Sequence, residues 1–182
     1  VRGIEGDAAT YYFGVFPHLI LNQKESFVFK GRNRRPPKDA VNAMLSFVYT
    51  LISNDVTAAL ETVGLDPYVG FMHALRPGRP SLALDIMEEL RAYLGDRLVL
   101  SLINRKQITG NQFLQQGDES IIMTDDARRT IISAWQARKK EQIQHPFLNE
   151  KVSIGLLPHI QAMMLARYLR NDLDDYPVFL IQ

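Results

Sequence analysis

The chain has 182 residues, 46% of them apolar and 23% charged, the balance of a globular protein with one sizeable core and not of a disordered one. Without cysteine it has no disulfide, thiolate metal site or cysteine nucleophile, which suits a reducing, cytoplasmic setting. A net charge of +1 decides little, but its distribution is uneven: Lys24, Lys30, Arg32, Arg34, Arg35 and Lys38 stand against Glu25 alone over residues 23–38, while Asp172, Asp174 and Asp175 near the C-terminus face no base after Arg170.

The elements follow from periodicity. Ile4, Ala8, Tyr11, Tyr12 and Val15 recur at helical spacing, which predicts a helix over 3–15. Residues 17–37 keep no period and read as a long loop, of the length that is usually functional or mobile. Pro37 is expected to open a core helix over 40–63, where Val41, Met44, Leu45, Val48, Ile52, Val56 and Leu60 follow a 3.6-residue period up to Gly64. A turn-rich segment delivers Phe71, Met72 and His73, and a proline-stiffened basic loop holds Arg76 and Arg79.

Ser81 is expected to cap a helix over 82–94 that could continue past Gly95 to Ile103. Residues 107–124 read as a small hairpin. A helix over 124–144 should bury Ile131, Ile132 and Trp135 and expose Arg138, Lys139 and Lys140, and another should follow over 154–169. No apolar run approaches the roughly 20 residues that span a bilayer, and Val1–Gly6 does not resemble a secretory signal. The expected fold is a single, mainly α domain over 1–182 with a small β-hairpin. Its start without Met, inside a candidate motif, suggests a fragment with upstream sequence missing.

The side chains that carry chemistry are Glu5, His73, Asp85 and Glu88. Carboxylates with one imidazole are the donor set of a hard divalent ion, Mg²⁺ or Mn²⁺. In a chain with no nucleotide-binding loop, that set points towards phosphodiester chemistry. Asp85 and Glu88 are three apart and share a helix face. Taken singly, each residue has an ordinary alternative: Glu5 a first-turn acid, His73 a hydrogen-bonded half-core histidine, and Glu88 with Glu89 a solvated face. His18, His145 and His159 read as structural or exposed, and Trp135 as core.

Four segments in order carry a resemblance. Gly3-Ile4-Glu5-Gly6 with Ala8-Ala9 and Tyr11-Tyr12-Phe13, Asn42-Ala43-Met44-Leu45-Ser46-Phe47-Val48-Tyr49-Thr50-Leu51, Gly64-Leu65-Asp66-Pro67-Tyr68-Val69-Gly70-Phe71-Met72-His73, and Pro80-Ser81-Leu82-Ala83-Leu84-Asp85-Ile86-Met87-Glu88 together resemble the catalytic helical domain of the CRISPR-associated integrase of spacer acquisition, the Cas1 family. The likeness is close over 3–90 and looser beyond.

The resemblance implies a metal-dependent DNA endonuclease and integrase that inserts foreign DNA fragments as new spacers into a CRISPR array. By position, the family's ligands fall on Glu5, on His73 and on the acid fifteen residues later, Glu88. Asp85 becomes either a secondary ligand or a partner of the ligands, and one clear ligand set implies a one-metal site holding Mn²⁺ or Mg²⁺.

Arg32, Arg34, Arg35 and Lys38 would fit a loop that tracks DNA, with Arg76 and Arg79 nearer the scissile phosphate. The implied partners are DNA (protospacer and CRISPR repeat), a small companion adaptation protein and a second copy of the chain, with no membrane. The family's N-terminal β domain has no counterpart here. The alternative reading is a catalytically silent module of the same complex that binds DNA or the companion protein.

Overall fold

The structure is a computed structural model that describes residues 2–33, 36–117 and 119–180. Helix α1 (Arg2–Val15) passes through a 3₁₀ turn (Phe16–Leu19) into the long loop, followed by α2 (Ala40–Thr62) and α3 (Ser81–Leu90). A π-helical turn (Arg91–Asp96) leads into α4 (Arg97–Asn104). The hairpin β1 (Phe113–Gln115) and β2 (Ile121–Met123) precedes α5 (Asp125–Lys140). A second hairpin, β3 (Gln142–Gln144) and β4 (Lys151–Ser153), precedes α6 (Leu157–Leu169). The protein is mainly α, as expected, and it divides into two compact units: Val1–Val48 with Asp96–Ala134, and Tyr49–Gly95 with Trp135–Gln182.

Several local expectations are corrected. α2 is opened by Asp39 and not by Pro37: Asp39 Oδ1 accepts the Asn42 backbone N–H at 2.7 Å, an N-cap that satisfies one of the helix's free donors. Ser81 is the first residue of α3 and makes no cap hydrogen bond; its hydroxyl donates instead to Ala74 O at 3.2 Å. The expected helix over 124–144 ends at Lys140, and residues beyond it form the unforeseen β3, paired antiparallel with β4 through Ile143↔Val152. Ile132, expected inside, is exposed, while Ile131 and Trp135 are buried. α2 is also long and apolar enough to cross a bilayer by length and composition, which corrects the expectation that no such stretch exists. Half of that stretch is buried within the protein, as befits a core helix.

In the first unit the long loop is held down. Phe16, Phe27 and Phe29 are buried, each contributing about 1.5–3 kcal/mol by leaving water, and the Phe16 and Phe29 rings lie 5.1 Å apart. Asn104, at the end of α4, accepts from Leu21 N at 2.8 Å and donates to Leu19 O at 2.9 Å. Gln23 donates to Ile103 O and Ile108 O, both at 3.0 Å. This segment is a braced element of the core.

In the second unit the buried faces of α3 and α6 supply Ile86, Leu90, Ile160 and Leu165, with Trp135 from α5. Lys139 is not a simple exposed cation: it bonds Asp55 at 2.7 Å and lies 5.8 Å from the Trp135 ring. Arg138 sits 5.1 Å from the Tyr93 ring.

Candidate active site

The best-defined site geometry lies where residues 66–73 meet the start of α3. The first N–H groups of a helix lack internal partners, and here the Pro67 carbonyl accepts from Leu82 N at 2.9 Å and Ala83 N at 3.3 Å. Gly70 lies so close to α3 that a Cβ on it would meet Asp85 Oδ2 and Ser81 C at 2.7 Å. A small residue is therefore obligatory at this crossing. Gly70→Ala is expected to cost about 1–3 kcal/mol through overpacking, read as a lowered denaturation midpoint at unchanged m-value.

Asp85 then organises the histidine loop. Its Oδ2 accepts from Phe71 N at 2.6 Å and Met72 N at 3.0 Å, and its Oδ1 accepts from His73 N at 3.0 Å. Oδ1 also lies 2.6 Å from His73 Nδ1. Burial pushes the Asp85 carboxyl up, but the His73 imidazole and the three backbone N–H groups outweigh it and hold the group below its ordinary value. An ionised carboxylate only accepts, so the proton between the two side chains belongs to His73 Nδ1. In the neutral imidazole the lone pair is then on Nε2, the tautomer in which a histidine binds a metal while a carboxylate orients it. Of the two roles open to Asp85, this geometry matches the orienting partner.

Glu88, one turn further along α3, is half-buried and bonded through Oε1 to Arg91 Nη1 at 2.8 Å. The Arg91 guanidinium lies 5.4 Å from the Tyr49 ring, within cation–π range. Arg91 did not emerge from the sequence reading, although an acid and a base three apart on a helix are the usual sign of such a pair.

Glu5 belongs to the first unit. It lies on the exposed N-terminal half of α1, whose Ile4 and Tyr11 are also exposed. The helix is fastened further along, where Tyr12 donates to the buried Asp96 at 2.6 Å. Among the described residues no group of three or more His, Asp or Glu side chains gathers at metal-binding range. The donors still fit a hard divalent ion in kind: an imidazole whose Nδ1 is committed to Asp85, beside carboxylate oxygens.

The basic residues separate. Arg32 is turned inward, donating to Asn33 O at 2.5 Å, Asn42 Oδ1 at 2.6 Å and Ser46 Oγ at 3.1 Å. It braces the loop onto α2, so the structure gives it a packing role where a phosphate contact was expected. Arg34 and Arg35 lie outside the described residues. Lys38 is exposed and bridges to Glu119 at 3.4 Å. Arg76 is exposed and Arg79 half-buried, both in the loop that follows His73.

A mainly helical fold with a carboxylate-oriented histidine is shared with the Cas1 proteins. The chain matches the family described as "CRISPR associated protein Cas1" over residues 1–137. It is 58% identical over 179 residues to a CRISPR-associated endonuclease Cas1 of Chlorobaculum tepidum, covering 98% of this chain and 52% of the relative. It is 52% identical over 180 residues to that of Leptospira interrogans, covering 99% of this chain and 70% of the relative.

Among solved structures, a casposase bound to its integration product superposes with a TM-score of 0.86 at 25% identity, over 100% of this chain and 52% of that one. A Cas1 protein from Thermotoga maritima gives 0.82 at 28%, over 99% and 53%. The chain belongs to the Cas1 family. It spans about half the length of the first of these relatives.

Proposed function

We propose that this chain carries the catalytic residues of a divalent-metal-dependent DNA endonuclease and integrase that inserts DNA fragments as new spacers into a CRISPR array. The observation that carries the reading is the Asp85–His73 pair, an imidazole whose Nδ1 is committed to a carboxylate at 2.6 Å. Relatives named as endonucleases and a casposase bound to an integration product support the same chemistry. Glu5, His73 and Glu88 would hold Mn²⁺ or Mg²⁺. The ion, when bound, supplies Lewis acidity at the scissile phosphate.

The chain's own groups do the rest. Asp85 holds the proton on Nδ1 so that the Nε2 lone pair is kept for a metal ion, and it fixes the loop through three backbone N–H groups, which removes the cost of ordering that loop when substrate arrives. Arg76 and Arg79 bind phosphate. The reaction needs a nucleophile from outside the chain, a DNA 3′-hydroxyl in joining or water in cutting. A Cas1–Cas2 assembly among the similar structures supports a small Cas2-type companion as partner beside DNA, and the chain would act as a homodimer in the cytoplasm. A second reading is a catalytically silent module of the same complex that binds DNA or the companion protein.

The deciding test is cleavage of branched and linear DNA with Mn²⁺, with Mg²⁺ or with EDTA. Metal-dependent nicking is expected. Salt-sensitive binding without any nicking would move the chain to the second reading. The phosphate-binding role of the loop is checked separately: Arg76→Ala and Arg79→Ala should each lower the slope of log K against log salt by about 1, evenly across sequences.

A further inference from the structure

Helix α3 carries one more acid than the proposed site uses. Glu89 follows Glu88 and is occupied by the C-terminal segment. Its Oε1 accepts the Tyr176 hydroxyl proton at 2.7 Å. Its Oε2 accepts from Phe179 N at 2.9 Å and from Gln161 Nε2 at 2.8 Å. The fully buried Gln161 also reaches the Tyr176 oxygen at 2.9 Å and Pro177 O at 3.2 Å, so three donors from α6 and the C-terminal segment close around one carboxylate. Burial raises the Glu89 carboxyl above its ordinary value, against the hydrogen bonds from Phe179, Tyr176 and Gln161. Burial first, and then the Glu89 charge, push the Tyr176 phenol far up, so the phenol stays a donor.

Residues 172–180 form no helix or strand, and apolar contact alone would hold them without desolvating the half-buried Glu89 carboxylate. What a connected polar network adds is a single permitted setting. Phe179 completes it: the ring is buried, 5.8 Å from Tyr93 of the π turn and 5.7 Å from His145. At about 100° per residue, Glu89 lies roughly 40° around α3 from Asp85 and 100° from Glu88. A rotation or slip of α3 that took Glu89 off the segment would therefore take Asp85 off the His73 loop and turn Glu88 with it. The helix has only ten residues, and its hydrogen-bond register changes immediately after Leu90.

We infer that residues 176–179 act as a positioning strap for the acid face of α3, with Glu89 as the positioning residue that transmits its hold to Glu88 and Asp85. The inference rests on the metal-site reading above. Glu89→Gln places an amide donor against the donors of Phe179 or Gln161, and Tyr176→Phe removes a single oxygen should the first variant fail to fold. Asp174→Asn, on an exposed residue of the same segment, serves as control. Mn²⁺ alone, titrated by EPR, should bind both variants about tenfold more weakly than the parent, the range for residues that orient ligands. Amide exchange should quicken in 82–90 as well as in 176–180.

Exchange that quickens in the strap while the Mn²⁺ Kd and the exchange of 82–90 stay at parent values would overturn the inference, since a merely structural strap gives that result. If the parent and His73→Ala bind Mn²⁺ equally, the metal-site reading fails by itself. The strap is then judged on exchange: spread into 82–90 supports it, and confinement to 176–180 overturns it.

Discussion

Replacing Asp85 with asparagine should weaken Mn²⁺ binding about 10–100-fold, the range for a carboxylate that orients a ligating histidine. Asparagine has nearly the same shape, so the loss isolates charge and donor pattern. Asp85 accepts at both oxygens, from Phe71 N and Met72 N on one and from His73 on the other. Asparagine offers one acceptor and one donor. If its oxygen keeps His73, its amide faces two N–H groups and the loop is pushed off α3. If it turns round, its amide donates to His73 Nδ1 and the ring proton moves to Nε2, where the metal would bind.

Nitrogen NMR of the imidazole separates the two outcomes, because the tautomer reverses only in the second. Asp85→Ala goes further. It strands three backbone donors beside a carboxylate site only 6% exposed, at about 1–3 kcal/mol for each that water does not reach. An Asp85→Asn protein with parental Mn²⁺ affinity and an unchanged ring spectrum would remove Asp85 from the site.

How much of this was legible in one dimension depends on range. The period of Val41, Met44, Leu45, Val48, Ile52, Val56 and Leu60 gave α2 because burial repeats with the helical turn, and every one of those residues is fully buried. The His73 and Asp85 segments were legible as chemistry, but the bond between them was not: a loop residue and a helix residue twelve positions apart can meet in many ways, and Gly70 selects this one by letting the backbone touch Ser81. The hairpin β3–β4 was invisible because strands of three residues show no alternation distinguishable from the end of a helix.

Arg32 read as a DNA contact because composition counts charge and not direction; its guanidinium is spent on Asn42 and Ser46. Glu89 read as a solvated acid for a related reason, since its partners come from residues 161, 176 and 179, beyond the reach of any local pattern.

The largest effect on activity is expected from Glu5, His73 and Glu88. Alanine at any one of them should lower DNA cleavage on the order of 10³-fold, since loss of a ligand forfeits several kcal/mol of transition-state stabilisation. Double variants should be little worse than the singles, because residues acting as one unit do not add. Stability should divide the three in a different order. Glu5 is exposed on α1, so Glu5→Ala should leave the fold within about 0.5 kcal/mol of the parent. Glu88→Ala gives up a half-exposed i,i+3 pair with Arg91, worth about 0.3–0.5 kcal/mol. His73→Ala removes the ring bonded to Asp85 and should cost most. Denaturant melts beside cleavage rates would show this, and the informative variant is Glu5→Ala. A residue with no packing role that abolishes cleavage at unchanged stability acts through chemistry, whereas full activity in Glu5→Ala would confine the ligands to residues 73–88 and require a different third donor.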